Sequence, residues 1–151
     1  MKVEEIDLEP RTMMGVHEVV PMTGMVEYFT RALTTSAAAL GRQSAYPAGP
    51  AIALYHGKPT DVVDVTAGFP VVQSVKSTPE AIVVTLPGGP AIQTTHTGSY
   101  DSMTGTYDQL MAWVTEQDLK MSEDMWEEYL TGPADDSNPA TWTTRIVWPL
   151  A

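Results

Sequence analysis

The alternation of hydrophobic and polar positions predicts strands and one long helix in the first half of the chain. Apolar residues set among acids predict a first strand over residues 3–8, and a second extended segment follows at 12–20. After Pro21, apolar residues recur at helical spacing as far as Gly41; they are Met25, Phe29, Ala32, Leu33 and Leu40. Two further strands are predicted at 51–55 and 62–72.

The second half of the chain shows a similar series of elements. Residues 81–86 and 91–97 have strand composition and flank a Pro-Gly-Gly-Pro turn, a pattern that predicts a hairpin. A helix is predicted over about 102–120, with Met111 and Trp113 at the margins of an apolar stripe formed by Met103, Tyr107, Leu110 and Val114. Strands at 126–130 and 142–150 complete the chain.

The spacing of corresponding residues indicates a duplication. His17 and His96 are 79 residues apart, and Gly24 and Gly105, at the two helix starts, are 81 apart. We therefore predict one α+β domain over residues 1–151, a pseudo-twofold duplication of a strand-helix-strand-strand unit with halves at about 1–76 and 77–151. It would have antiparallel sheets, two main helices and a cleft between the halves. The alternative is a chance resemblance between two ordinary α+β units.

The stretch from 125 to 133 carries the most informative chemistry, because it places two carboxylates between two aromatic residues. Side chains of a strand alternate between its faces, so we expect one set of Met125, Glu127 and Tyr129 and another of Trp126, Glu128 and Leu130. One glutamate can then point into an enclosed, aromatic-lined space. The alternative is a solvated edge strand with ordinary surface acids.

Charge and composition narrow the class of partner. The formal net charge is -11, and the 8 basic residues are scattered, which disfavours direct binding to nucleic acid. Cations are attracted by such a chain, although acidity can also serve solubility alone. The lack of cysteine excludes disulfides and thiolate metal sites.

Targeting and cofactor signals are not evident in the sequence. No apolar run is long enough for a membrane span, and the first residues lack the core of a signal peptide, so we expect a cytoplasmic protein. His17, His56 and His96 lie in separate segments without the spacing of a metal-ligand pair, and no Gly-rich phosphate loop occurs. We expect no metal and no cofactor.

Ordered short motifs over nearly the whole chain resemble the GyrI-like effector-binding domains. In the first half they are Ala53-Leu54-Tyr55-His56-Gly57 and Val65-Thr66-Ala67-Gly68-Phe69-Pro70-Val71. In the second half they are Leu86-Pro87-Gly88-Gly89-Pro90-Ala91, His96-Thr97-Gly98-Ser99-Tyr100, Trp126-Glu127-Glu128-Tyr129-Leu130 and Thr144-Arg145-Ile146-Val147-Trp148-Pro149. One departure is Gln117-Asp118-Leu119 at the helix exit, where the family often has glycine.

The resemblance implies a pseudo-twofold fold whose central cleft is lined by aromatic residues and holds an acid. By position that acid is Glu127, with Glu128 as the alternative if the register shifts by one. Hydrophobic, often cationic drugs are the ligands of such domains in multidrug-responsive regulators. The candidate cleft walls are Tyr55, Tyr100, Trp113, Trp126, Tyr129 and Trp142.

Three functions remain open from the sequence. The first is a ligand-binding domain that senses or sequesters cationic aromatic compounds, with Glu127 pairing the ligand charge. The second is a hydrolase of electrophilic, cyclopropane-type compounds, in which Glu127 activates a water. The third is an interaction module that binds a protein partner through its surface.

Overall fold

The computed structural model describes residues 1–151 as one eight-stranded antiparallel sheet with two main helices. The predicted α+β class is therefore confirmed. Neither helix combines the length and hydropathy that a membrane span requires. The helices are α1 (Met25–Arg42) and α2 (Met103–Glu116). The strands are β1 (Glu4–Leu8), β2 (Arg11–Pro21), β3 (Ile52–His56), β4 (Val62–Val71), β5 (Ile82–Leu86), β6 (Gly89–Thr97), β7 (Asp124–Thr131) and β8 (Thr143–Pro149).

The strand order is symmetric about its centre. It runs β1-β6-β8-β7-β3-β4-β2-β5, so β7 and β3 meet in the middle and each flanking strand has a counterpart on the other side. The first strand of each half joins the sheet of the other half, since β1 pairs with β6 and β5 pairs with β2. We propose on this basis that the chain is one domain of two related halves, divided at about residue 76.

The predicted hairpin between residues 81–86 and 91–97 is wrong. Strand β5 pairs with β2 and strand β6 pairs with β1 and β8, so the two strands lie far apart in the sheet order. A hairpin would satisfy only local pairing. The pairing of β5 with β2 and of β6 with β1 instead brings Leu86 and Ala91 into one core cluster, which also buries Met13, Ile52 and Trp126.

That core cluster lies inside the curl of the sheet. Ile6 and Leu8 from one end strand pack against the same cluster as Leu86 from the other end strand. The sheet therefore curls into a half-barrel, and we call its inner surface the barrel face and its outer surface the helix face. Both helices pack on the helix face, because α1 contacts Ala53 and Val65 and α2 contacts Ile92 and Ile146.

The two helices approach the sheet to different extents. The buried side of α1 is mostly small, with Ala32, Ser36 and Ala39, and this helix packs closely on β2 and β4. The buried side of α2 carries Met103, Leu110 and Val114, and α2 makes no comparably close approach to any strand. Larger side chains hold helices further from their packing surface. Helix α2 therefore lies less closely against the sheet than α1 does.

The exit from α2 explains the one departure from the family motif. The helix ends at Glu116, four residues before the predicted end at about 120. Asp118 then has φ 54°, a left-handed conformation that glycine adopts most readily and that Asn and Asp tolerate better than most residues. Aspartate thus makes a left-handed turn at a position where the family resemblance leads us to expect glycine.

Two glycine substitutions test the packing of the sheet and of α2. A Cβ on Gly68 would lie 1.9 Å from the carbonyl oxygen of Met14 in β2, so Gly68→Ala has to push two paired strands apart. We expect it to lower the free energy of unfolding by about 2 kcal/mol or more, as overpacking does. Gly105→Ala in α2 meets no atom within 4 Å and should raise that free energy by about 0.5–1 kcal/mol. Urea denaturation measures both, and a Gly68→Ala protein as stable as the wild type would contradict the close strand approach.

Candidate ligand-binding site

Strand β7 places two neighbouring glutamates on opposite faces of the sheet. Its partners are β3 and β8, so β7 is a central strand and not the solvated edge strand considered as an alternative. Glu127 lies on the helix face and is 6 % exposed, whereas Glu128 lies on the barrel face and is 5 % exposed. The two residues therefore belong to different environments, as the alternation of a strand requires.

The carboxylate of Glu127 is held by three tyrosine hydroxyls. Tyr129 donates to Oε1 at 2.7 Å and Tyr55 donates to the same oxygen at 3.3 Å. Tyr107 reaches across from α2 and donates to Oε2. Neither lysine nor arginine forms a salt bridge with Glu127. The acid is thus hydrogen-bonded but has no cationic partner.

Burial controls the protonation of this group. Loss of water raises the pKa of Glu127 above its ordinary value, although the three tyrosine hydroxyls, and the charge of His96 when it is protonated, act in the opposite direction. Burial, followed by the negative charge of Glu127, also raises the pKa of Tyr55, Tyr107 and Tyr129. The tyrosines therefore remain neutral donors. Glu127 ionises less readily than an exposed glutamate.

Glu128 provides a contrast on the same strand. Its Oε1 lies 3.3 Å from Nη1 of Arg11 and 3.5 Å from Nη1 of Arg145. The indole nitrogen of Trp126 also donates to Oε2, at 3.3 Å. Two guanidinium groups therefore neutralise Glu128 within the protein, so this acid has no need of an external cation.

Further aromatic rings pack around Tyr129, one of the tyrosines bonded to Glu127. The ring of Tyr129 meets Phe29 of α1 and Tyr100 edge to face, each with centroids 5.9 Å apart. Tyr100 also packs on Trp142 at 5.1 Å. Tyr100 is 41 % exposed, so the cluster opens to solvent at this residue. We call the group formed by Glu127 with Tyr55, Tyr107, Tyr129, Phe29, Tyr100 and Trp142 the Glu127 cleft.

The structure brings together only some of the predicted cleft walls. Tyr55, Tyr100, Tyr129 and Trp142 all belong to the Glu127 cleft. Trp126 is 1 % exposed and lies in the barrel-face core, on the other side of the sheet from Glu127. Trp113 packs against the core between α2 and the sheet, in the cluster that contains Leu110. Trp126 is a core residue and Trp113 packs, partly buried, against the core without a contact to Glu127, so we leave both out of the candidate site.

Two residues of the cleft were not among the predicted walls. Phe29 and Tyr107 both fall on apolar helix stripes, and helical periodicity alone does not distinguish a core residue from one that lines a cleft. Tyr107 did carry a usable signal. A tyrosine on a buried helix face needs a partner for its hydroxyl, and the buried glutamate supplies that partner.

Two hollows on the surface lie away from this cleft. One, of about 410 Å³, is lined by polar loops and strand ends that include Gly88, Glu123 and Asp124. A second, of about 170 Å³, lies beside Lys2, Glu4 and Thr94. Neither includes Glu127, and in both the lining lacks the aromatic residues that bind hydrophobic ligands.

A protein-family model that matches the full length of the chain identifies its family. The family model of the GyrI-like small molecule binding domain matches residues 1–151. The chain belongs to this family. It is therefore a small-molecule-binding domain, and the candidate site of this GyrI-like domain is the Glu127 cleft. A search among curated proteins with the sequence finds no match.

Solved structures show the same fold at low sequence identity. The C-terminal domain of EcmrR is similar with a TM-score of 0.81 and 18 % identity, over 99 % of this chain and 97 % of that chain. EcmrR in a complex with DNA is similar with a TM-score of 0.79 and 20 % identity; 99 % of this chain matches 57 % of that chain. SAV2435 bound to tetraphenylphosphonium has a TM-score of 0.74 and 12 % identity, over 100 % of this chain and 94 % of that chain.

The raised pKa of Glu127 makes a prediction about stability. Folding favours the protonated acid, so the contribution of Glu127 is fully present below its ordinary pKa of 4.5 and is lost as the pH rises through the higher pKa of the folded state. The stability of the wild type relative to Glu127→Gln should therefore fall as the pH rises through this range. Each unit of pKa shift corresponds to about 1.4 kcal/mol.

Urea denaturation at a series of pH values measures this difference. Glu116→Gln, which removes an exposed charge from α2, controls for the change in net charge. If the stability of the wild type relative to Glu127→Gln stays constant or rises with pH, burial does not penalise the ionised acid.

Proposed function

We propose that this GyrI-like domain binds hydrophobic cationic small molecules in the Glu127 cleft, with the ligand charge placed over the Glu127 carboxylate. One observation carries the proposal: Glu127 is buried without a cationic partner, although its neighbour Glu128 has two arginines. The role that follows is drug sensing or sequestration.

The energetics favour a cation over a neutral ligand. An ionised carboxylate removed from water loses several kcal/mol of solvation unless an opposite charge replaces it. The tyrosine hydroxyls orient the Glu127 oxygens but carry no charge, so a ligand cation supplies the opposite charge that offsets the lost solvation. Each aromatic face adds about 0.5–2 kcal/mol to the binding of that cation. The net charge of -11 raises the local concentration of cations around the whole domain.

The entrance to the cleft lies at Tyr100 and Trp142. Tyr100 belongs to a short 3-10 turn before α2, and Trp142 ends the loop that follows β7. The indole nitrogen of Trp142 donates to the carbonyl oxygen of Asp136 at 2.8 Å, so Trp142 moves together with this loop. A ligand enters when these two rings separate. The looser packing of α2 on the sheet lets Tyr107 yield as well.

A pair of probes with one shape and opposite charges tests the proposal. Tetraphenylphosphonium is the cation bound by SAV2435, and tetraphenylborate is an anion of nearly the same shape. We expect the cation to bind this domain at least about 100-fold more tightly than the anion, equivalent to about 2.7 kcal/mol. Fluorescence quenching and calorimetry measure both affinities.

Matched variants on the same strand locate the site. Glu127→Gln should weaken binding of tetraphenylphosphonium at least about 10-fold, because it removes the charge but keeps the size of the side chain. Glu128→Gln, on the opposite face, should leave the affinity nearly unchanged. Circular dichroism confirms that each variant is folded. Equal loss in both variants, or no preference for the cation, would contradict binding at Glu127.

The affinity should also depend on pH in one direction. Protons compete with the ligand for Glu127, so binding of the cation should strengthen as the pH rises through the raised pKa of this acid. In Glu127→Gln that rise should disappear. Calorimetry at a series of pH values measures it, and a wild-type affinity that falls or stays level over the acidic range would contradict the role of this carboxyl group.

Hydrolysis is the second candidate function, and one feature of the cleft favours it. A carboxyl group whose pKa is raised by burial is suited to act as a general base on water. His96 cannot assist readily, because both ring nitrogens are engaged, Nδ1 with Thr106 and Nε2 with Ser99 and Ser102. Chromatographic product analysis with cyclopropane-type electrophiles decides the matter: turnover that Glu127→Gln abolishes would make the domain an enzyme.

A further inference from the structure

We infer that the barrel face of the sheet carries a binding site for a divalent transition-metal cation, formed by His17, His56 and Asp64. One ligand atom from each of these residues lies within 4.8 Å of the others. Imidazole nitrogens with a carboxylate oxygen are a donor set that suits zinc, nickel, cobalt and copper better than calcium or magnesium. We call these residues the His17 cluster.

Three neighbouring strands assemble the cluster. His17 in β2 is paired with Thr66 of β4, and Tyr55, the residue before His56 in β3, is paired with Val65 of the same strand. Asp64 lies on β4 between the two histidine-bearing strands. All three side chains share the barrel face. His17 and His56 lie an even number of residues from the barrel-face core residues Met13 and Leu54, and Asp64 lies two residues from Thr66, which is paired with both His17 and Leu54. Residues 39 and 47 positions apart from His17 are thus brought together, which explains why sequence spacing indicated no metal site.

Neighbouring groups orient the cluster as they do in metal sites. Nε2 of His17 lies 2.5 Å from Oδ1 of Asp64, and the rings of His17 and His56 meet edge to face at 5.3 Å. Nε2 of His56 is hydrogen-bonded to the Thr66 hydroxyl at 2.9 Å. Such a bond fixes the ring and leaves the other nitrogen for a metal. That nitrogen, Nδ1, lies 3.6 Å from Oδ2 of Asp124, which can add a fourth ligand.

Charge and access also fit a cation. The two aspartates pair with histidines, and neither forms a salt bridge with lysine or arginine. The side chains of His17, His56 and Asp64 are 45 %, 28 % and 42 % exposed, so a hydrated ion can reach them and keep water in its remaining positions. The cluster lies on the opposite face of the sheet from Glu127, so this inference is independent of the proposed function.

Metal titration tests the inference directly. Protein freed of metal by chelation is titrated with Zn²⁺, Ni²⁺ and Co²⁺ in a calorimeter, at a pH about one unit above the ordinary histidine pKa of about 6.5. We expect one ion per chain. With Co²⁺ we also expect visible absorption bands from nitrogen coordination, which a nonspecific ion atmosphere around an acidic protein would not produce.

Variants separate the His17 cluster from other sites. Loss of an outer partner of a metal site typically costs about 10–100-fold in affinity, so His17→Ala and His56→Ala should each weaken binding by at least that factor. Asp124→Asn should weaken it less. Asp108→Asn, which removes an exposed acid from α2, is the charge-matched control and should bind like the wild type. The side chains are partly exposed, so the variants should fold, and circular dichroism checks this.

Two results would overturn the inference. One is the absence of stoichiometric binding by the wild type. The other is binding that survives unchanged in the double variant of His17→Ala and His56→Ala, which would show that the ion binds elsewhere and that His17 and Asp64 form only a surface pair.

Discussion

The desolvation of Glu127 is the constraint around which this domain is built. A carboxylate at the centre of a sheet, 6 % exposed and without a cationic partner, is tolerated only because three tyrosine hydroxyls satisfy its oxygens. Those hydroxyls come from β3, from β7 and from α2. The hydrogen bonds therefore connect both halves of the fold, and none of them supplies a positive charge to the acid.

The pseudo-symmetry of the sheet makes the asymmetry of this site clear. Glu127 in β7 is paired directly with Ala53 in β3, across the centre of the symmetric strand order. On the side of Ala53, helix α1 packs closely through alanine and serine. On the other side, α2 stands further away and sends Tyr107 to the acid. Two similar halves thus differ in packing: α1 lies closely on the sheet, whereas α2 lies further off and contributes a tyrosine to the acid.

The sequence predicted local features well, because the spacing of apolar residues shows which side chains share a face of a strand or helix. The split of β7 into a Glu127 face and a Glu128 face, and the stripe of α2 through Leu110, both followed from spacing alone. Pairing between distant strands could not be predicted in the same way. Local turn composition favoured a hairpin, yet β5 lies at one end of the sheet and β6 lies next to the strand at the other end, with Leu86 and Ala91 buried in a shared core.

Tertiary placement also decided which candidate residues meet. Tyr55, Tyr100, Tyr129 and Trp142 come together, whereas Trp126 lies on the opposite face of the sheet and Trp113 packs, partly buried, against the core beside α2. Tyr107, which donates to the acid from α2, stood in the sequence only as one member of an apolar helix stripe. His17 and His56 show the same limit, since only the strand register brings them beside Asp64.

The most direct test of the central claim is the titration of the Glu127 carboxyl group itself. Carbon-13 NMR of protein labelled at the glutamate side chains, with the Glu127 signal assigned from its loss in Glu127→Gln, gives its pKa in the free protein and with saturating tetraphenylphosphonium. We predict a pKa above 4.5 in the free protein and a marked fall when the cation binds. A pKa at or below 4.5 in the free protein, or one that the bound cation leaves unchanged, would contradict a desolvated acid that pairs with its ligand.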